Sequence, residues 1–203
     1  QLWVLNRERG ELGGLLPIVE AEVAENPGLP AWLCVLAMMY VIEGRLDEAR
    51  SIVDQLTPEG RLDVAEDVMW ICAAGTLLDV SEHVGSAEKA AAMYEVLLPY
   101  RELPVHGGVT YLGSAERFLA MGARATGRLD EAVEHLERAV AFEEHMATTT
   151  WLGVALADLV ITLRQRNADG DAARAEAAEA RAVELADQTG SVYVRRRLAG
   201  LIA

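Results

Sequence analysis

Two kinds of helical segment alternate along this chain. The first kind is apolar on nearly every side, as in residues 32–40, and such a helix is covered by neighbours on both faces. The second kind is amphipathic, with apolar residues recurring at steps of three and four. The clearest amphipathic set is Leu46, Ala49, Ile52, Val53 and Leu56. This alternation predicts pairs of helices in which one member is buried and the other is half-exposed.

A short glycine motif marks the turn inside each pair. The heptapeptide Gly-Arg-Leu-Asp-Glu-Ala-Arg at residues 44–50 returns at residues 127–133 with only its last residue changed. Weaker copies begin at Gly10, Gly85 and Gly170. The chain therefore repeats at intervals of about 34 to 43 residues, which is typical of stacked helix pairs. Glycine suits this turn because it readily adopts the left-handed conformation that ends a helix.

We predict four complete pairs and a truncated first one within a single domain, residues 1–203. The complete pairs are expected at residues 32–40 with 46–56, 62–84 with 87–98, 109–126 with 129–145, and 150–166 with 172–187. Residues 2–5 resemble the end of a first helix whose partner spans residues 12–23, so we expect a fragment of a longer protein. A last helix over residues 191–202 is expected to cap the far end of the stack.

A large aromatic residue opens the first helix of each complete pair, and its ring is expected to wedge against the preceding pair. These residues are Trp32, Trp70, Tyr111 and Trp151. Residues 102–108, the longest break in the pattern, are expected to form a loop between two pairs. Because no segment shows sustained alternation of apolar and polar residues, the whole chain is expected to be all-α.

Composition and charge narrow the range of functions. Hydrophobic residues make up 52% of the chain, which argues against disorder. The net charge of −14 argues against direct binding of nucleic acids, because phosphate recognition needs clustered lysine and arginine. The one basic cluster, residues 195–197, is expected to be a solvated helix face. The longest apolar run, residues 31–42, is shorter than the roughly 20 residues that cross a bilayer, so no membrane span is expected.

The two cysteines, Cys34 and Cys72, both lie inside apolar helical runs. We expect two buried free thiols and no disulfide, as in proteins of a reducing compartment. This cysteine usage predicts a cytoplasmic location.

The packing positions beside two of the turns carry a family resemblance. Around Gly44 they are Leu36, Ala37, Tyr40, Ala49, Val53 and Leu56, and around Gly127 they are Leu119, Ala120, Ala123, Ala132, Leu136 and Ala139. Their order of large and small side chains resembles tetratricopeptide repeats over essentially the whole chain, although the units exceed the 34 residues usual in that family. The resemblance implies a right-handed α–α superhelix of about four and a half helix pairs, with a concave wall lined by the first helix of each pair.

Three phrases carry a narrower resemblance. They are Asn26-Pro-Gly-Leu-Pro-Ala-Trp32, Tyr94-Glu-Val-Leu-Leu-Pro-Tyr100 and Gly113-Ser-Ala-Glu-Arg-Phe-Leu119. These phrases are similar to the C-terminal helical arm of large bacterial signalling ATPases, which carry either a LuxR-type DNA-binding domain or a nucleotide cyclase domain. The resemblance implies an arm that senses a ligand or partner and restrains the ATPase, in the control of transcription or of cyclic-nucleotide synthesis.

No catalytic, cofactor or metal site is expected from the sequence. A phosphate-binding loop combines glycines with a lysine, which the glycine-rich residues 10–14 lack. Cys34 and Cys72 have no neighbouring base in the sequence to activate a nucleophile. The four histidines fall on different elements and are expected to be polar surface residues, not metal ligands: His83, His106, His135 and His145. The chain is therefore expected not to be an enzyme.

A recognition groove is the remaining candidate site. By the resemblance, its wall would carry Met38, Asp79, Glu82, His83, Ser114, Arg117, Met121, Arg124 and Arg164, together with Cys34, Cys72 and Ile161. Arg117 and Arg124 lie two turns apart on one helix face, so they could hold an anionic group bidentately. Alternatively, they could pair with Asp79 and Glu82 across adjacent helices, and this second arrangement is favoured.

Three hypotheses about function follow. The leading one is a non-catalytic interaction module that binds a protein segment or a neighbouring domain of its parent protein. The second is a sensor that encloses a small-molecule effector, which the tryptophan and methionine content favours. The third is a homodimer formed through apolar surface that the truncated first pair leaves bare at residues 2–5.

Overall fold

A computed structural model describes residues 2–26, 29–67, 69–108 and 110–201 of the chain. Within these residues the protein is mostly helical, with one small two-stranded sheet. The helices are α1 (Leu2–Arg9), α2 (Leu16–Glu25), α3 (Pro30–Ile42), α4 (Leu46–Leu56), α5 (Trp70–His83), α6 (Ala87–Leu97), α7 (Ala115–Ala125), α8 (Leu129–His145), α9 (Thr149–Arg166), α10 (Asp171–Thr189) and α11 (Val192–Leu198). The strands are β1 (Pro104–Gly107) and β2 (Thr110–Ser114).

The helices associate in consecutive pairs. Helix α3 packs on α4, α5 on α6, α7 on α8 and α9 on α10. Neighbouring pairs are joined by contacts of α3 with α5, of α5 with α7 and of α8 with α9. The predicted bounds of α4 and α8 agree with the structure at both ends, and those of α6 and α9 agree within one residue. The prediction of a helical chain is therefore confirmed.

The turns inside three of the pairs share one hydrogen-bonding pattern. Gly44, Gly85 and Gly127 have φ of 75°, 70° and 76°, a region in which glycine has no steric penalty. After each glycine, the next backbone N–H donates to a carbonyl in the last turn of the preceding helix, as Arg45 N does to Tyr40 O at 2.7 Å and Arg128 N to Ala123 O at 2.8 Å. This pattern satisfies carbonyls that a helix end would otherwise leave unpaired.

A β-hairpin replaces two expected features, the loop at residues 102–108 and the start of a helix at residue 109. Strands β1 and β2 are antiparallel, with His106 opposite Tyr111 and an irregularity near Pro104. Val105 and Leu112 turn inward and are 0% and 5% exposed. The strands are too short to show a periodic pattern in the sequence, which is why the helical prediction was wrong here. Val109 lies outside the described residues.

Helix α7 begins only after the hairpin, and Tyr111 therefore does not open a helix. The Ser114 hydroxyl accepts a hydrogen bond from the Glu116 backbone N–H at 3.2 Å and so caps the start of α7. The Tyr111 ring lies edge-on to Trp151, at 6.0 Å between centroids. This contact puts the Trp151 ring against the preceding pair, as expected, but it joins Tyr111 to the following pair and not to the preceding one.

The helix expected at residues 62–84 begins at Trp70, eight residues late. Residues 61–67 are irregular and follow a 3-10 segment, Pro58–Gly60. The Asp67 side chain accepts a hydrogen bond from the Met69 backbone N–H at 2.8 Å. An aspartate bonded in this way favours a turn over a continuing helix, which explains the late start.

The two ends of the described chain lie together. The Arg7 guanidinium of α1 stacks over Tyr193 of α11, at 4.3 Å from the ring centroid, and over Trp151 at 4.6 Å. The Ser191 hydroxyl donates to the Glu8 carboxylate. Helix α11 packs on the last pair, α9 and α10, as expected, but this short helix also contacts α1, which was not expected.

The contact between α1 and α11 also changes the expectation for residues 2–5. Trp3 and Val4 pack against the core, whereas Leu2 and Leu5 are 68% and 53% exposed. Only part of the surface expected to support a homodimer is therefore bare. Among the described residues, no helix is both long enough and apolar enough to span a membrane.

Candidate functional site

The predicted groove residues fall on neighbouring helices. Asp79, Glu82 and His83 lie on the last turns of α5, Arg117, Met121 and Arg124 lie on α7, and Arg164 lies near the end of α9. Met38 lies on α3, and Ser114 immediately precedes α7. We call the facing sides of α5, α7 and α9, which carry Asp79, Arg117 and Asp158, the inner wall.

Four charged side chains cross the inner wall in a row that we call the central ion chain. Arg117 donates from both terminal nitrogens to Asp79 Oδ2, at 3.2 Å each, and from Nε to Asp158 Oδ2 at 2.7 Å. Arg197 of α11 donates from Nε to the other oxygen of Asp158. Each of the four residues is at most 3% exposed. Two positive charges thus balance two negative ones in a buried setting.

The arginines keep both aspartates of the central ion chain ionised. Burial by itself would raise the pKa of Asp79, but Arg117, His83 and Arg197 outweigh it and hold this pKa well below its usual value. Burial likewise opposes ionisation of Asp158, and Arg197, Arg117 and Arg124 together lower its pKa. Because these charges depend on one another, removing one member takes a partner away from at least one other buried charge.

Arg124 also pairs with a carboxylate on the adjacent helix, as the favoured alternative predicts. It binds the Glu82 carboxylate in a bidentate manner, through Nε to Oε1 and through Nη2 to Oε2 at 2.8 Å. Its Nη1 donates to the Thr162 hydroxyl at 3.1 Å, and its Nη2 lies 3.1 Å from the Met121 sulfur. Arg117 and Arg124 are therefore both engaged within the protein, and neither presents a free bidentate surface to an anion.

His83 completes a group of three metal-ligand side chains at the end of α5. One ligand atom each of Asp79, Glu82 and His83 lies within 4.8 Å of the others, and His83 Nε2 is 3.2 Å from Asp79 Oδ1. However, Arg124 already holds both oxygens of Glu82, and Arg117 holds the second oxygen of Asp79. Two guanidinium groups this close oppose a further cation, so the group fits an ion-pair network better than a metal centre.

An open pocket of about 470 Å³ lies where the inner wall ends. Its border includes Arg197 and five predicted groove residues, which are Glu82, His83, Arg124, Ile161 and Arg164. Arg164 is half-exposed and donates to Glu179 at 2.6 Å. The structure therefore brings together those predicted groove residues that lie near the carboxyl ends of α5, α7 and α9.

Four predicted residues, Met38, Cys34, Cys72 and Ser114, lie elsewhere. Met38 is 6% exposed and borders a separate apolar cavity with Cys34 and Cys72. Ser114 is fully buried: besides capping α7, it donates from its backbone N–H to Glu143 Oε1 at 2.8 Å. Ser114 therefore fixes the hairpin and α7 to α8 and is not a groove residue.

Two members of the central ion chain, Asp158 and Arg197, were not predicted from the sequence. Asp158 was detectable, because it is the one charged residue in the apolar run at residues 151–163, and a buried charge needs a partner. Arg197 was not detectable, because it is the last of three consecutive arginines and the sequence does not distinguish it from the other two, which are exposed. The expectation of a solvated basic cluster is thus correct for Arg195 and Arg196 and wrong for Arg197, which is 2% exposed.

His135 is also buried, at 3% exposure, contrary to the expected surface position. Its Nε2 lies 2.9 Å from the Tyr94 hydroxyl, and its Nδ1 is bonded to Glu116. Arg138 donates to the second oxygen of Glu116 at 3.0 Å. Burial opposes ionisation of Glu116, but His135 and Arg138 outweigh it and lower its pKa. This cluster joins α6, α7 and α8.

Tyr94, His135 and Glu116 occur in the order of a nucleophile, a base and an orienting acid, but their setting does not favour catalysis. Tyr94 is 5% exposed, so its hydroxyl is largely closed to a substrate. Burial, the largest influence, also raises the pKa of Tyr94, which keeps the hydroxyl protonated. The geometry is that of a structural hydrogen-bond network.

No model of a known protein family matches the chain, and no curated protein is significantly similar to it.

Proposed function

We propose that the chain is a non-catalytic interaction module that binds a polypeptide segment on its inner wall. Its helix pairs would form a right-handed superhelix of about four and a half tetratricopeptide-like units. The glycine turns and the contacts between successive pairs support this arrangement. Such stacks usually act by presenting a binding surface.

One observation carries the proposal: the inner wall holds an arginine-bearing helix of the chain itself. Helix α11 buries Tyr193, Val194 and Arg197, and Arg197 supplies the second partner of Asp158. Asp158 is fully buried and Arg117 bonds only one of its oxygens, so a second positive charge is favoured at the other oxygen. A partner helix with two apolar residues followed by an arginine at the same spacing would meet the same requirement.

Charge also favours a basic partner segment. The chain carries a net charge of −14, which attracts positively charged polypeptides and repels nucleic acids. Three segments of the sequence also resemble bacterial signalling ATPases. We therefore propose that the module is the C-terminal sensor arm of such a protein. It would act in the cytoplasm, controlling transcription or cyclic-nucleotide synthesis through contacts with its parent's other domains.

The test is to supply the α11 contact from a separate molecule. The variant Arg197→Ala leaves Asp158 without one partner and should melt at a lower temperature than the wild type. A peptide with the sequence of residues 190–201 should raise that melting temperature in a saturable manner, because ligands that bind the folded state stabilise it.

The controls isolate the arginine. The same peptide with alanine in place of Arg197 should give a much smaller shift. The protein variant Arg195→Ala, altered at an exposed neighbour, should melt like the wild type and respond little to either peptide. Equal shifts with both peptides, or none with either, would contradict the proposed recognition.

A further inference from the structure

A second cavity, separate from the inner wall, lies between α1, α3, α5 and the β-hairpin. Its volume is about 220 Å³. Two indoles, two thioethers and two thiols are prominent in its lining: Trp3, Trp32, Met38, Met69, Cys34 and Cys72. Neither the ion pairs nor α11 extends into this lining, so the proposed peptide recognition does not account for the cavity.

The lining of this cavity is neutral. None of the lining side chains that the structure describes is charged, although charged residues make up 25% of the sequence. Burial raises the pKa of the Cys34 thiol to about 12, so the thiol stays protonated. Binding a soft metal ion would require thiolates, and an anion or cation would find no charged partner. The lining therefore selects an uncharged occupant.

The volume limits the size of that occupant. An apolar cavity of about 150 Å³ holds one benzene molecule. A cavity of 220 Å³ therefore admits a molecule of one or two fused rings, but not a peptide segment or a nucleotide.

We propose that this cavity binds a small, uncharged aromatic molecule of one or two rings. Sulfur–aromatic contacts with Met38 and Met69 would favour a ring over an alkyl chain, and the indoles of Trp3 and Trp32 allow edge-to-face contacts. Thr76 lies at the same cavity and offers its hydroxyl to one polar atom on the ring. The ligand would recover van der Waals contacts that the lining side chains lack across the empty space.

Methionine methyl groups provide a direct test, with indole as the probe. In the protein labelled with ¹³C at its methionine methyls, indole should shift the Met38 and Met69 signals in a saturable manner. Met93 and Met121 are fully buried away from the cavity, and Met146 is 48% exposed, so their signals should stay in place. Indole-3-acetate should give weaker shifts at equal concentration, because its carboxylate has no charged partner in the lining.

A filled cavity should abolish the effect. Val35→Trp places a large side chain at the cavity border, and Ala31→Phe does so from one helical turn earlier. Ala24→Phe, at an exposed position on α2, is the matched control and should leave the shifts unchanged. Unperturbed Met93 and Met121 signals would show that each variant is folded.

Three results would overturn the proposal. The first is an absence of shifts up to the solubility of indole. The second is shifts of equal size at Met146, which indicate non-specific surface binding. The third is a saturable response that persists in a folded filled-cavity variant. None of these results bears on the peptide recognition proposed for the inner wall.

Discussion

Asp158, which was not among the predicted groove residues, joins two helices at the inner wall. Each of its oxygens accepts from a different arginine, Arg117 on α7 and Arg197 on α11. Because all three side chains are buried, their charges interact with little screening by solvent. A single carboxylate thereby connects α7 to α11.

Replacing this carboxylate should be costly. We expect Asp158→Ala to lower the free energy of unfolding by about 3–5 kcal/mol, because Arg117 and Arg197 are then deprived of a buried counter-charge. Urea unfolding near neutral pH measures the difference. The control Glu179→Ala removes a partly exposed partner of Arg164 and should cost less than about 1 kcal/mol.

The difference in the free energy of unfolding between Asp158→Ala and the wild type should depend on pH. The pKa of Asp158 is lower in the folded protein than its ordinary value, so its contribution is present above an unfolded pKa near 3.9. That contribution is lost as the pH falls through the folded pKa. The deficit of Asp158→Ala relative to the wild type should therefore be full near neutral pH and should shrink below about pH 4. A deficit that grows on acidification would contradict the assigned charge state.

At the scale of elements, local rules account for the helix pairs and fail at the hairpin and at α11. A helix pair shows its period over many residues, and its turn requires a glycine at one position. By contrast, β1 and β2 are four and five residues long, which is too short for a pattern. The sequence also predicts α11 as a helix, but it holds no local information about what that helix contacts.

The turn glycines give a test at this scale. Gly127 has φ 76°, and a Cβ added there would meet nothing within 4 Å. Gly127→Ala should therefore lower the free energy of unfolding through backbone strain alone, by about 1–2 kcal/mol. Thermal or urea unfolding would show this cost.

Gly14 provides the matched control for this turn. A Cβ at Gly14 also has open space, and its φ is not positive. Gly14→Ala should therefore be neutral or slightly stabilising, because it restricts the unfolded chain. Equal effects of the two substitutions would show that the left-handed conformation is not what makes Gly127 necessary.

For the molecule as a whole, the contact between α1 and α11 is the decisive feature. Arg7 lies over the rings of Trp3, Trp151 and Tyr193, and so it ties the first helix to α9 and α11. Trp3 also borders the apolar cavity. Arg7 therefore links the lining of that cavity to the helix that occupies the inner wall.

Removing the Arg7 side chain should destabilise α1 and α11 together. We expect Arg7→Ala to raise hydrogen exchange in α1 and α11 and to leave α4 unchanged, since stability is local to cooperative units. A cation–π interaction at a desolvated site stabilises by up to about 2 kcal/mol, and the substitution removes those that Arg7 makes. Hydrogen exchange followed by mass spectrometry resolves the segments.

Arg9→Ala serves as the control, because Arg9 is exposed on the same helix. It should leave the exchange of both end helices as in the wild type. If Arg7→Ala raised exchange in α1 but not in α11, the two ends would not be coupled through this side chain.

The sequence by itself determined the parts that depend on neighbours along the chain. The apolar steps of α8 and the glycine at residue 127 follow from helix periodicity and repeat spacing. The pairing of Arg117 with Asp79 was expected because the resemblance to tetratricopeptide repeats implies that both lie on one wall. These features need only short stretches of chain, or copies of one unit placed side by side.

Only the tertiary structure decided which residues meet across the stack. Arg197 and Asp158 are 39 residues apart, and nothing in residues 195–197 distinguishes the one buried arginine from its exposed neighbours. The same holds for Trp3 and Met38, which border one cavity from different helices. The physical reason is that burial is set by where whole helices pack, whereas helical periodicity records only which face of a helix is apolar.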